Sequence, residues 1–69
     1  MTTANENKVE LTKLHYAKLI KELFNTDDAQ SKQLADDLYN QIVALGGNPH
    51  NYEELEKTIR VIVGKWLNR

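Results

Sequence analysis

Ile59-Arg60-Val61-Ile62-Val63-Gly64-Lys65-Trp66 is the stretch on which the fold turns. Four of its first five residues are β-branched, a composition that suits a pleated strand. A single strand would have no partner in this chain, and the flanking residues carry a different period. Tyr52, Leu55, Ile59, Ile62 and Trp66 recur at steps of three, four, three and four, a heptad seam that Val63 and Leu67 widen. A helix over residues 51–67 is the reading that satisfies both sides. Gly64 inside it costs about 1 kcal/mol relative to alanine, which a close helix crossing or a bend would explain.

Working back from that helix, Gly46-Gly47-Asn48-Pro49-His50 is the clearest breaker in the chain. Asn51 with Glu54 has the capping-box spacing for the helix that follows, and Asn48 before Pro49 offers a competing start. Upstream, Leu34, Ala35, Leu38, Ile42 and Leu45 form one inward stripe of a helix over 27–45. Thr26 or Asp27 caps it, Asp27 fits a box with Gln30, and the paired glycines end it. Tyr16, Leu19, Ile20, Leu23 and Phe24 repeat the pattern over 12–24. There Thr12 reads as the N-cap, Leu11 and Tyr16 as a hydrophobic staple, and Asn25 as a left-handed C-cap. Residues 1–8 are polar and without periodicity, so they read as a flexible tail before a domain over 9–69. The expected fold is all-α, a three-helix bundle, monomeric or dimeric. Leu19, Leu23, Leu38, Ile42, Leu55, Ile59, Ile62 and Trp66 are expected at its centre.

Sixty-nine residues make one domain, and a chain of this size buries only about 60% of its unfolded surface. It has no cysteine, so neither a disulfide nor a thiolate metal site can staple it. Nine Lys and Arg against ten Asp and Glu give a charge of −1, which offers no bulk attraction to nucleic acid or to an anionic membrane. The longest apolar runs, Ile42-Val43-Ala44-Leu45 and Val61-Ile62-Val63, are far too short to span a bilayer. The polar N-terminus has no signal-peptide pattern, so a cytoplasmic location is expected.

Catalytic and metal-binding patterns are missing. The lone serine, Ser31, reads as a solvated residue on the outer side of its helix, remote in sequence from His15 and His50. His15 reads as a first-turn surface residue and His50 as a loop residue. Neither stands in an H-E-x-x-H pattern, and Asp27-Asp28 and Asp36-Asp37 lack the alternating oxygens and turn glycine of a calcium loop. No enzyme activity, cofactor or metal is expected. The turn at Gly46-Gly47 has no preceding strand and no G-K-[ST], and Glu53 and Glu54 would repel a phosphate there.

Charge is unevenly spread. Residues 26–50 carry four Asp and one Lys, whereas the segments on either side each sum to +1. The middle helix therefore presents Asp28, Asp36 and Asp37, with Asn40 nearby and Tyr39 and Val43 one turn apart beside the core stripe. A tyrosine among polar groups is a frequent hot-spot composition. These six residues are the expected protein-binding surface, and their charge suits a basic partner. Asp28/Lys32, Lys18/Glu22, Glu53/Lys57 and Glu56/Arg60 stand at i, i+4 and read as solvated helix pairs.

Two other roles compete with that one. A DNA-binding or nucleoid-associated regulator would use Lys57, Arg60, Lys65 and Arg69 of the third helix. Glu53, Glu54 and Glu56, however, crowd the end where base contacts are usually made. A homo-oligomeric structural protein, a homodimer for instance, would gain from subunit burial.

No family is identified outright. The run from Leu19 through Asn25-Thr26-Asp27 to Leu34, the acidic second helix and the late Val63-Gly64-Lys65-Trp66 resemble the spacing of small helical bacteriocin immunity proteins that neutralise nuclease colicins. That resemblance implies an acidic second helix, through Asp36 and Asp37, covering a basic toxin. The chain lacks the Asp-Leu-Ile-Tyr-Tyr-Pro segment of those proteins and is too short for their fourth helix. The role expected overall is a non-enzymatic regulator or inhibitor of the phage, plasmid or immunity type.

Overall fold

Asn25 sits in the left-handed backbone region at φ 55°, and its amide donates to the Lys21 carbonyl at 2.8 Å, closing the first helix. Two residues later the Asp27 carboxylate accepts from the Gln30 amide at 2.7 Å and opens the second. The second helix ends in a Schellman turn. Gly46, at φ 80°, donates to the Val43 carbonyl and Gly47 to that of Ile42. In the computed structural model, which describes residues 4–68, these signals delimit α1 (Ala4–Phe24), α2 (Asp28–Ala44) and α3 (Leu55–Leu67). The protein is an all-α three-helix bundle.

Lys13 of α1 pairs with Asp36 of α2, and Lys21 with Asp28, so these two helices run antiparallel. At the start of α3, Leu55 shares a hollow with Ile42 and Leu45. Near its end, Trp66 shares another with Leu34 and Asp37. The α2–α3 pair is therefore antiparallel as well. Tyr16, Ile20, Leu34, Ala35, Leu38, Leu55, Ile59 and Val63 are buried together at the centre.

The structure corrects the expected helix starts. α1 begins at Ala4, eight residues before Thr12, so residues 4–8 of the expected tail are helical, and residues 1–3 lie outside the described residues. No glycine or proline interrupts Asn5 to Leu11, and adding residues to an existing helix costs far less than nucleating one. Half-buried Val9 extends the stripe of Thr12, Tyr16 and Ile20 at steps of three and four. Thr12 is consequently a buried residue within the helix and caps nothing. Leu11 points to solvent while Tyr16 is fully buried, so they form no staple.

α3 begins at Leu55, four residues after Asn51. The Asn51 side chain accepts from the Glu53 amide at 3.1 Å, and the Leu55 amide donates to the Tyr52 carbonyl, which closes a local turn in place of the first helical turn. The Asn51–Glu54 capping box does not form.

Other expectations shift with the packing angle. Leu38, Leu55 and Ile59 are central as expected, but Leu19, Leu23, Ile42, Ile62 and Trp66 are only partly buried. α3 turns Leu55, Ile59 and Val63 inward, four residues apart, and lays its Ile62–Trp66 edge along α2. Leu45, expected on the inward stripe, is 69% exposed. Ser31 is buried rather than solvated, its hydroxyl 2.5 Å from that of Thr26 beneath the α1–α2 corner.

Gly64 is not required by a close crossing. A methyl group there would meet the Phe24 ring at 3.8 Å, an ordinary contact, and its backbone is not left-handed. Gly64→Ala is therefore expected to stabilise the domain by about 0.5–1 kcal/mol, read as a higher midpoint in urea denaturation.

Candidate functional site

The loop between α2 and α3 is fastened into the angle between α1 and α2 by polar side chains. The buried Tyr16 hydroxyl donates to the Pro49 carbonyl. Thr12 Oγ1 lies 3.0 Å from His50 Nδ1 and 2.9 Å from the Tyr52 hydroxyl, while His50 Nε2 lies 3.2 Å from the Tyr39 hydroxyl. The His15 ring rests 4.5 Å from that of Tyr52. Among the described residues no buried side-chain polar atom is left without a partner.

The Thr12–His50 pair has the reach of a nucleophile and its base. Thr12 is 1% exposed, however, and a substrate cannot meet its hydroxyl. What this cluster does is hold the loop. Ser31 bonds Thr26 and no histidine. Among the described residues, no three His, Asp or Glu side chains gather in a way that could hold a metal ion.

The six acidic-surface residues do not form one strip. Asp28 pairs with Lys21 at 2.7 Å in open solvent, where the ammonium holds its carboxyl below the usual range and Lys21 is raised in return. Asp36 pairs with Lys13 at 2.5 Å, and that hydrogen bond keeps the Lys13 ammonium above its ordinary value despite some desolvation. Lys13 also lies 5.3 Å over the Tyr39 ring, and Tyr39 is half-buried against His50. Val43 is exposed. Adjacent helical residues diverge by about 100°, so Asp37 points away from Asp36 and, with Asn40, borders α3. Of the expected i, i+4 pairs, Glu56–Arg60 forms at 2.9 Å, whereas Asp28 turns to Lys21 instead of Lys32.

The α2–α3 seam is where open carboxylates and exposed apolar side chains meet. One hollow of about 550 Å³ is lined by Leu34, Asp37, Asn40, Gln41, Ala44 and Trp66. Another, of about 490 Å³, is formed by Ile42, Leu45, Leu55, Thr58 and Ile62, with Asn48, Asn51, Glu53 and Glu54 around it. Among the described residues, neither is lined by Lys or Arg. The hollow between α1 and α2 differs, since Glu10 and Asp36 mix with Lys13 and Lys32 there.

Leu45, Glu53, Glu54 and Trp66 were not legible in the sequence as surface elements of the two α2–α3 hollows. The available signal was that Ile62 and Trp66 stand beside the Leu55–Ile59–Val63 stripe, which leaves them only partly covered. For the nucleic-acid alternative, Lys57 and Arg60 share a shallow surface with Glu53, Glu54 and Glu56. Lys65 is exposed, and Arg69 lies outside the described residues. No helix among the described residues is long and apolar enough to cross a membrane. The chain matches no family model, no curated protein and no solved structure.

Proposed function

We propose that this chain is a small non-catalytic protein that binds another protein through the α2–α3 groove, as a regulator or inhibitor acting in the cytoplasm. The observation that carries the reading is the exposed Leu45 beside half-buried Ile42 and Ile62, with half-buried Trp66 towards the far end of α3, apolar side chains rimmed by polar ones along the α2–α3 seam. An apolar centre with a polar rim, and an aromatic residue within it, is the ordinary anatomy of an interface. Thr12, His50, Tyr16 and Tyr39 are engaged in holding the loop, which leaves the helix surfaces for recognition.

Leu45→Lys tests the reading. Leu45 is exposed at the C-terminus of α2, where a cation suits the helix dipole, so the fold is expected to survive. The tagged wild-type chain should capture a discrete protein from its native host, and the folded Leu45→Lys variant should lose it. Equal capture by both, or capture by neither, would contradict the proposal.

A further inference from the structure

We infer that the segment seated in the α2–α3 groove is a cationic amphipathic helix, an inference that rests on the protein-binding reading above. The charge of the groove selects for cations. Asp28 and Asp36, two of the three carboxylates of the strip that looks most acidic in the sequence, are already matched to Lys21 and Lys13, and Glu56 of α3 is matched to Arg60. Asp37, Glu53 and Glu54 are exposed and form no ion pair among the described residues, and all three lie along the groove. Cations on a partner would complete them, whereas carboxylates would be repelled. The α1–α2 hollow carries both signs within its own lining, whereas Lys57 and Arg60 meet Glu53 and Glu54 on a separate shallow surface and line neither hollow of the groove.

The shape of the groove suits a helix. The groove lies between two antiparallel helices, and among the described residues there is no sheet edge to which an extended peptide could add a strand. A groove between two helices suits helix-in-groove packing, with apolar anchors at three- and four-residue spacing. α3 has 13 residues and spans roughly 20 Å, so the matching segment is about three to four turns long. Leucine-like anchors would face Leu45 and Trp66, with lysine or arginine on the flanks.

Three labelled synthetic peptides of about 14 residues provide the test by fluorescence anisotropy. One is an amphipathic helix with Leu anchors and Lys flanks, the second has Glu flanks, and the third scrambles the Lys peptide. The Lys helix should bind about tenfold or more tighter than the Glu helix and should weaken as salt rises. Scrambling should abolish binding. Asp37→Asn/Glu53→Gln/Glu54→Gln, all exposed positions, should weaken the Lys helix about tenfold with helicity by circular dichroism unchanged.

Equal binding of Lys and Glu helices, or no effect of the triple variant, would overturn the inference. If no peptide binds but the native partner still depends on Leu45, the cationic-helix inference falls and the groove reading stands. If Leu45→Lys alters neither peptide binding nor capture, both fall. Binding of a second copy of this chain at the groove, seen as concentration-dependent mass lost in the triple variant, would also overturn it.

Discussion

Ile59→Ala is expected to leave the domain largely unfolded at 37 °C. Ile59 is fully buried, the middle of the three α3 side chains, with Leu55 and Val63, that enter the core. Truncating a buried isoleucine to alanine costs about 2–5 kcal/mol, through lost burial and the cavity left behind. A core of this size supplies only about 3–5 kcal/mol in total. With no disulfide to restrain the chain, the loss approaches the whole stability. Val61→Ala, on the same helix but half exposed, should change stability by no more than about 0.5 kcal/mol. Thermal melts followed by far-UV circular dichroism decide the matter. Ile59→Ala should show a lost or strongly lowered cooperative transition and Val61→Ala a near wild-type one; equal transitions would contradict the placement of Ile59 in the core.

The second large effect is expected at Tyr16, whose hydroxyl anchors the loop to α1 by donating to the Pro49 carbonyl. Tyr16→Phe keeps the ring and leaves that carbonyl unpaired in a buried setting, a cost of about 1–3 kcal/mol at neutral pH. The same burial, with smaller contributions from Tyr52 and Tyr39, pushes the Tyr16 phenol from its ordinary 10.0 up to about 12. The fold therefore favours the protonated phenol, and the unfolded chain releases its proton first. That contribution is fully present below pH 10 and is lost as pH rises from about 10 towards 12, a fall of about 2 kcal/mol. Tyr16→Phe lacks this limb. Urea denaturation at a series of alkaline pH values should show the wild-type advantage shrinking as pH rises. Parallel curves for the two proteins would contradict the placement of the hydroxyl.

The existence of three helices was legible because leucine, isoleucine and aromatic residues recur at three and four, a period that only a helix gathers on one face. Asn25, Asp27 and Gly46-Gly47 marked ends correctly, since each has a local conformational reason to be there. The N-terminal extension of α1 was hidden, because polar residues without a breaker carry almost no directional signal and only Val9 joins the stripe. Asn51 misled because an asparagine that caps a helix and one that closes a turn look identical in sequence.

Surface chemistry was less legible than the fold. The acidic character of α2 can be counted, but which carboxylates remain open is set by neighbours. Lys13 and Lys21 come from another helix, 23 and 7 residues from their partners. The Thr12–His50–Tyr39 cluster joins residues 38 and 11 apart, which no local spacing announces. Leu45 looks like a core residue by period, yet it lies one residue past the last turn of α2, where it finds no cover.

Amide chemical-shift mapping of the labelled protein with the Lys-flanked helix tests the recognition account at its site. Shifts should concentrate at Asp37, Gln41, Leu45, Thr58, Ile62 and Trp66, while Leu11, Leu14 and Lys18 on the outer side of α1 stay in place. Shifts centred on α1, or none in the α2–α3 groove at saturating peptide, would show that recognition does not occur there.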